Sequence, residues 1–151
     1  MVELSLVLPR QPDERWQLAK QMGGRKAVIH PLEVGDAKTH WSYDDLLGTK
    51  NWLENAGLEF AVLEGSVPLT DAIRLGKEGR DEDIAEFKNF LLDCGELEIP
   101  VVCYDWMAGV RWARTEAHVE SRGGSYVTGY DNEKNSGGPE VDGADVTRDQ
   151  L

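Results

Sequence analysis

Three apolar segments of the sequence end in side chains that can do chemistry. The segment RKAVIH ends in His30, and EFAVLEG carries Glu64 near its end. The segment IPVVCYD ends in Cys103, Tyr104 and Asp105. Imidazole, thiol and carboxylate groups bind metal ions or transfer protons, and a phenol or a carboxylate also holds a sugar hydroxyl. Their repeated position after apolar segments indicates a polar site built from strand ends.

Each of these residues also has a purely structural interpretation. His30 precedes a proline, which is typical of a loop residue. Glu64 is either a base or an acceptor for a loop amide. Cys103 is expected to be buried, since free cysteine behaves as a small apolar residue more often than as a ligand. Asp105 is the stronger functional candidate, because a carboxylate at a strand end needs water or a partner.

Aromatic and basic residues follow the last of these segments. Trp106 and Trp112 either line a pocket or fill a core, and the sequence leaves both open. Arg111 and Arg114 either hold a substrate carboxylate by bidentate hydrogen bonds or form surface salt bridges. The segment GGRKAV lacks the spacing of a dinucleotide-binding loop, and no phosphate-binding loop motif is present.

The apolar pattern predicts strands that alternate with helices, in the order βαβαβαβ. Strands this apolar are suited to burial on both faces, so we expect an α/β fold with a parallel sheet, either open and doubly wound or closed into a barrel. Active sites of such folds lie at the C-terminal ends of the strands, where the candidate residues are found. The predicted strands are residues 2–8, 25–30, 59–65 and 99–105.

The predicted helices have recognisable starts and apolar faces. Pro12 suits the first turn of the first helix, and Ser42 with Asp45 forms a capping box at the second. The acidic residues 81–83 begin the third, where they complement the helix dipole. The residues expected to face the core are Trp16, Ala19 and Met22, then Leu46 and Leu53, and finally Ile84, Phe87, Leu91 and Cys94.

The charge balance argues against two classes of partner. Lys plus Arg number 16 against 28 Asp plus Glu, a formal net charge of -12, which repels nucleic acid and anionic membranes. This acidic excess is consistent with a protein from a high-salt cytoplasm. No segment reaches transmembrane length and the N-terminal apolar residues lack a basic flank, so we expect a cytoplasmic protein. The two cysteines fit neither a zinc motif nor a disulfide framework, so reduced thiols are expected.

The alternation of strands and helices stops after residue 107. Residues 122–145 are rich in Gly and Asp and lack a helical period, which predicts a long functional loop or a partly disordered segment. Thr147 and Gln150 match a capping box. The chain therefore either stops as a helix begins, as a truncated chain would, or ends in a frayed tail.

The segment CYDWMAGVRWARTE (103–116) resembles the mannonate dehydratase family, in which Cys-Tyr-Asn-aromatic-Met is followed by Trp-x-Arg-Thr. HWSYDDLLGTKNWLENAGLEFAVLEGSVP is similar to the family's Trp-Ser and Glu-Ser-Val-Pro segments. IRLGKEGRDEDIAEFKNFL is similar to its Asp-x-Ile-Lys-x-Gly region, and RGGSYVTGYD to the loop beyond the fourth strand. The resemblance covers essentially the whole chain.

This resemblance implies the N-terminal half of a (β/α)8 TIM barrel of the xylose-isomerase-like type. Residues 1–130 would form about four βα units, and residues 131–151 an acidic Gly/Asp-rich loop and the start of a truncated helix. It also implies a lyase of hexuronate catabolism that converts D-mannonate to 2-dehydro-3-deoxy-D-gluconate with Mn²⁺ or Fe²⁺. The substrate contacts that it implies are His30, Trp41, Glu64, Tyr104, Asp105, Trp106 and Arg114.

The sequence departs from the family pattern in two ways. Asp105 stands where the family usually has Asn, and a second negative charge near an anionic substrate is unfavourable unless a cation or a proton offsets it. The family's metal ligands come from later strands, and none of His30, His40 and His118 matches them. We therefore expect a truncated chain without a metal site or catalytic residues of its own, inactive in isolation.

Two further interpretations remain. A sugar isomerase or epimerase of the same barrel class is one, although the motif at 103–116 argues against it. The other is a non-catalytic remnant, or a half-barrel that works with a chain carrying the C-terminal half. A half-barrel leaves sheet edges and an apolar face uncovered, so a homo-oligomer or such a complementing chain is the expected protein partner.

Overall fold

The computed structural model describes residues 3–30, 41–65, 67–107 and 114–134. These residues belong to two compact units, Met1–Asp105 and Trp106–Leu151. The first unit holds a parallel sheet with its helices, and the second holds an antiparallel hairpin. The sequence-based boundary at residue 130 separates segments by composition and stays a prediction.

A four-stranded parallel sheet lies at the centre of the first unit. Its strand order follows the sequence, and each strand pairs in parallel with the next one along the chain. Sequential order is typical of a β/α barrel, whereas a doubly wound sheet reverses direction at a switch point. The α/β prediction is confirmed, and the order favours the barrel. The strands are β1 (Ser5–Leu8), β2 (Lys26–Ile29), β3 (Glu59–Glu64) and β4 (Val102–Cys103).

The second helix begins at the cap that the sequence indicated, whereas the first begins at Glu14 with Asp13 as its N-cap, so the expectation that Pro12 lies in its first turn is wrong. Asp13 accepts a hydrogen bond from the backbone N–H of Arg15, and Ser42 and Asp45 form the predicted capping box. A short helix capped by Thr70 was not predicted; its few residues carry too little apolar periodicity to reveal it. The helices are α1 (Glu14–Gln21), α2 (Tyr43–Asn55), α3 (Asp71–Leu75) and α4 (Arg80–Glu96).

The inward faces of the helices agree with the predicted ones in part. Trp16 and Ala19 of α1 are buried, whereas Met22 is exposed beyond the helix end. In α4 the buried residues are Cys94, as predicted, and Phe90, which is 3% exposed, whereas Leu91 is 40% exposed. The predicted apolar stripe is wrong at Leu91. Other core residues are Leu46, Leu53 and Leu97.

The second unit contains an antiparallel pair, β5 (Glu116–Glu120) and β6 (Tyr126–Gly129). The sequence predicted a loop or disorder for residues 122–145, which is wrong for β6, and it did not predict β5. Most side chains on these strands are exposed, so the apolar alternation that identifies a half-buried strand is missing. Gly123 and Gly124 turn the chain between the strands with φ of 70° and 75°. The capping-box match at Thr147 and Gln150 lies outside the described residues.

None of the helices in the described ranges has the length and apolar character that a membrane span requires.

Candidate functional site

The ends of β2 and β3 bring an imidazole and a carboxylate together. His30 follows directly after β2, and Glu64 is the last residue of β3. Because the strands are parallel neighbours, both side chains lie at the C-terminal edge of the sheet. The Nε2 atom of His30 lies 3.7 Å from Oε1 of Glu64. The predicted gathering of strand-end side chains is confirmed for this pair, and its contact with substrate stays a prediction.

The His30–Glu64 pair is open to solvent. The side chains are 55% and 40% exposed, respectively. A solute can therefore reach both groups without rearrangement of the chain. The ring nitrogens of an imidazole and the oxygens of a neighbouring carboxylate can both hydrogen-bond to hydroxyl groups. Such a pair can also transfer a proton to or from a bound group.

A second charged pair lies beyond β4. Asp105 follows β4 by two residues, and its Oδ1 lies 3.5 Å from Nη2 of Arg74 in α3. The Nη1 atom of Arg74 lies 3.6 Å from Oδ1 of Asp71. The Nε atom of Arg74 is buried and has no hydrogen-bond acceptor among the described residues. Asp105 therefore lies beside a cation at the same edge of the sheet.

Sequence reasoning did not single out Arg74. The residue lies in IRLGKEG, a segment that resembles the family but indicates no individual site residue, and in a short helix that the sequence does not predict. The signal available in the sequence was an arginine between two predicted strands, each of which has a carboxylate at or near its end. Its neighbour Asp105 is separated from it by 31 positions, so the pairing itself depends on the sheet order.

The two cysteines differ in environment. Cys94 is buried, and desolvation raises the pKa of its thiol to about 11. Cys103 is exposed, so the expectation that it is buried is wrong. β4 has two residues and lies at the edge of the sheet, where β3 is its one neighbouring strand within the described ranges. Both thiols are free, as expected.

The remaining predicted substrate contacts have different surroundings. Tyr104 and Trp106 are exposed. Trp41 is 6% exposed and belongs to the core, with the Arg10 guanidinium 4.7 Å from its ring centroid. In the second unit, Arg114 donates from Nε to Oγ1 of Thr128 at 3.2 Å. Substrate contact stays a prediction for all of them. The candidates Arg111 and Trp112, and likewise His40, lie outside the described residues.

The described residues do not fit a divalent metal ion. Within the described ranges there is no group of three or more His, Cys, Asp or Glu side chains that could hold one. His30 and Glu64 supply two donors, fewer than the ligand sets from which proteins bind Mn²⁺ or Fe²⁺. The remaining histidine of the described residues, His118, packs edge-on against Tyr126 in the second unit.

A sequentially ordered parallel sheet with polar groups at its C-terminal edge defines a protein of the β/α-barrel class, which binds ligands at that edge. The sequence profile of the D-mannonate dehydratase (UxuA) family matches residues 15–149. Since this match covers most of the chain, the chain belongs to the D-mannonate dehydratase family.

The chain is also similar to individual mannonate dehydratases. The chain is 37% identical over 97 residues to the mannonate dehydratase of Streptococcus pneumoniae (strain 70585), covering 64% of this chain and 25% of that one. It is 35% identical over 107 residues to that of Oceanobacillus iheyensis, covering 71% and 30%. The crystal structure of mannonate dehydratase from Streptococcus suis serotype 2 matches with a TM-score of 0.75 and 27% identity, over 91% of this chain and 39% of that one. The chain spans about a quarter to a third of the length of these curated relatives.

Proposed function

We propose that this chain contributes the N-terminal βα units, and part of the substrate site, to a dehydration of D-mannonate that yields 2-dehydro-3-deoxy-D-gluconate in hexuronate catabolism. The observation that carries the proposal is the family match over residues 15–149. The polar groups at the C-terminal edge of the sheet support it, since they lie where a β/α barrel binds its ligand.

The chemistry of the proposed reaction sets what the site must do. A base removes the proton on the carbon next to the carboxylate, and an acid protonates the neighbouring hydroxyl as it leaves as water. The resulting enol rearranges to the ketone. His30 and Glu64 are proposed to hold substrate hydroxyls at the edge of the sheet, and Tyr104 and Asp105 to do so beside them. Arg114 is proposed to contact the substrate carboxylate, for which a guanidinium is well suited.

The proposed reaction uses a metal ion that the described residues do not bind. Mn²⁺ or Fe²⁺, which the family resemblance implies, is proposed to be held by residues of the later strands of the barrel, since the described residues offer no ligand set. The described residues are therefore proposed to bind the sugar acid and not the ion. The proton-transferring residues are likewise proposed to lie on the later strands of the barrel.

The open edges of the sheet are the basis for proposing a protein partner. Among the described residues, β1 and β4 each have one neighbouring strand. Val7 on β1 and Val101 beside β4 are exposed, which is unfavourable for apolar side chains at an open sheet edge. We propose that further strands cover these edges, supplied by a chain with the C-terminal half of the barrel or by a second copy. A cytoplasmic location is part of the same proposal.

The test is the dehydration of D-mannonate by the purified chain with added Mn²⁺, at low and at high salt. Formation of the 2-keto-3-deoxy acid is followed by its colour reaction. We expect no product from the chain alone, and product after addition of a chain that carries the later strands of a mannonate dehydratase. The later-strand chain alone is the control.

Other outcomes would favour the alternative interpretations. An isomerised sugar acid formed without loss of water would indicate an isomerase or epimerase. Product from the isolated chain would show that a metal site and catalytic residues exist among its own residues, contrary to the proposal. No product in any combination, together with no binding of D-mannonate, would leave a non-catalytic remnant.

A further inference from the structure

We infer that Arg74 is the counter-ion of Asp105 and thereby sets the preference of the strand-end site for a sugar acid over the corresponding neutral polyol. This inference rests on the proposed function and deepens it. It concerns a positioning residue, since Arg74 acts through the charge of Asp105.

The geometry places Arg74 as the cation beside this carboxylate. Its Nη2 atom lies 3.5 Å from Oδ1 of Asp105, and its Nη1 atom lies 3.6 Å from Oδ1 of Asp71. One guanidinium is therefore shared between two carboxylates that come from α3 and from the end of β4. The group is held in place, because its side chain is only 20% exposed while that of Asp105 is 54% exposed.

The charges at the edge of the sheet explain why such a cation matters. Glu64 is the last residue of β3 and Asp105 follows the neighbouring β4 by two residues, so two carboxylates lie where an anionic sugar acid is proposed to bind. Both carboxylates repel an anionic substrate, and the repulsion is stronger than in bulk water because the effective dielectric constant near a protein surface is lower. Arg74 reduces the field of Asp105 while leaving its oxygens able to accept hydrogen bonds from hydroxyls.

The contacts of Arg74 are incomplete for a purely structural role. A guanidinium offers five N–H donors, and the two carboxylate contacts of Arg74 are both long. Its Nε atom is buried without an acceptor among the described residues. A cation in a saturated structural network would make short, well-directed bonds, as Arg10 does with Asp45 at 2.8 Å. The role inferred for Arg74 is therefore to offset the charge of Asp105.

The test compares binding of D-mannonate with binding of D-mannitol, which has the same hydroxyl arrangement and a neutral group in place of the carboxylate. Isothermal titration at fixed low salt is carried out on the full chain and on Arg74→Met, Asp105→Asn and the double variant. Arg74→Met should weaken mannonate binding about tenfold and leave mannitol binding unchanged. The double variant should recover most of the loss, and Asp105→Asn alone should bind mannonate at least as well as the unmodified chain.

Three further comparisons separate a charge effect from a structural one. Arg74→Lys keeps the cation and should retain mannonate binding to within about threefold. High salt should shrink the effect of Arg74→Met, because salt screens exposed charges. Arg80→Met is the control, since it removes an arginine that pairs with Asp81 at 2.8 Å on the exposed start of α4, outside the proposed site.

The outcomes distinguish this inference from the proposed function. Equal losses for mannonate and mannitol in Arg74→Met, or no recovery in the double variant, would overturn the inference and leave the proposed function standing. No binding of mannonate by the unmodified chain, either alone or together with the chain that carries the later strands, would overturn both. Binding with the expected variant pattern, but without dehydration in any combination of chains, would support the inference and contradict the proposed reaction.

Discussion

The guanidinium of Arg10 lies 2.8 Å from Oδ1 of Asp45 and connects the segment after β1 to the first turn of α2. Its Nε atom also donates to Oγ1 of Thr49 at 3.0 Å, and the group lies over the ring of Trp41. Trp41, which the family resemblance suggested as a substrate contact, is thereby one wall of this charged cluster and of the core. The cluster makes the stability of this region depend on pH.

The charged form of Asp45 should stabilise the fold above about pH 4. Hydrogen bonds from Ser42 and from Arg10 lower its pKa from 3.8 to about 2. Because the folded-state pKa lies below the unfolded one, this contribution is lost as the pH falls from about 4 to about 2. We expect a loss of about 1 kcal/mol, discounted for partial exposure. Urea unfolding of the unmodified chain and of Asp45→Asn at several pH values measures it.

Asp44→Asn is the control for this measurement, since Asp44 lies in the same turn of α2. It should keep the pH dependence of the unmodified chain, whereas Asp45→Asn should flatten it. The same slope in Asp45→Asn as in the unmodified chain would contradict the assignment.

Phe90 and Leu91 should respond very differently to truncation. Phe90 is 3% exposed and Leu91 is 40% exposed. We expect Phe90→Ala to lower the free energy of unfolding by about 3–4 kcal/mol, since it removes a buried ring and leaves a cavity. Leu91→Ala should cost less than about 1 kcal/mol. Denaturant unfolding measures both, with the exposed Leu92→Ala as control. A large cost at Leu91 would instead support the stripe that the sequence predicted.

The two thiols should react with Ellman's reagent at different rates. Cys103 is exposed, whereas Cys94 is buried with a pKa of about 11. At pH 8 about one Cys94 thiol in a thousand would be ionised, and the thiolate is the reactive form. We expect one fast equivalent in the native chain and a second only after unfolding. Cys103→Ser should remove the fast equivalent and Cys94→Ser the slow one, and the reverse assignment would be inconsistent with this burial.

His30 should contribute to the binding of D-mannonate. It lies 3.7 Å from Glu64 at the edge of the sheet, and an imidazole there can hold a substrate hydroxyl. We expect His30→Ala to weaken binding about fivefold, the value of one hydrogen bond. His118→Ala in the second unit is the control and should bind normally. Unchanged affinity in His30→Ala would remove this residue from the proposed site, as measured by isothermal titration.

Local signals in the sequence determined much of the first unit. The capping box of Ser42 and Asp45 and the buried positions Leu46 and Leu53 were predicted and are confirmed. These features depend on residues a few positions apart, so they can be read along the chain without knowledge of the fold. The family was likewise recognisable from short motifs, above all the segment 103–116, and the sequence profile confirms it.

Long-range contacts were determined only by the tertiary structure. The sequential strand order separates a barrel from a doubly wound sheet, and both give the same pattern of elements. The choice of Phe90 over Leu91 depends on which side of α4 packs into the core, since both fit a helical period. The pairing of Arg74 with Asp105 needs α3 to lie beside the end of β4. A sequence records which side chains are available, and the packing of distant segments fixes which of them meet.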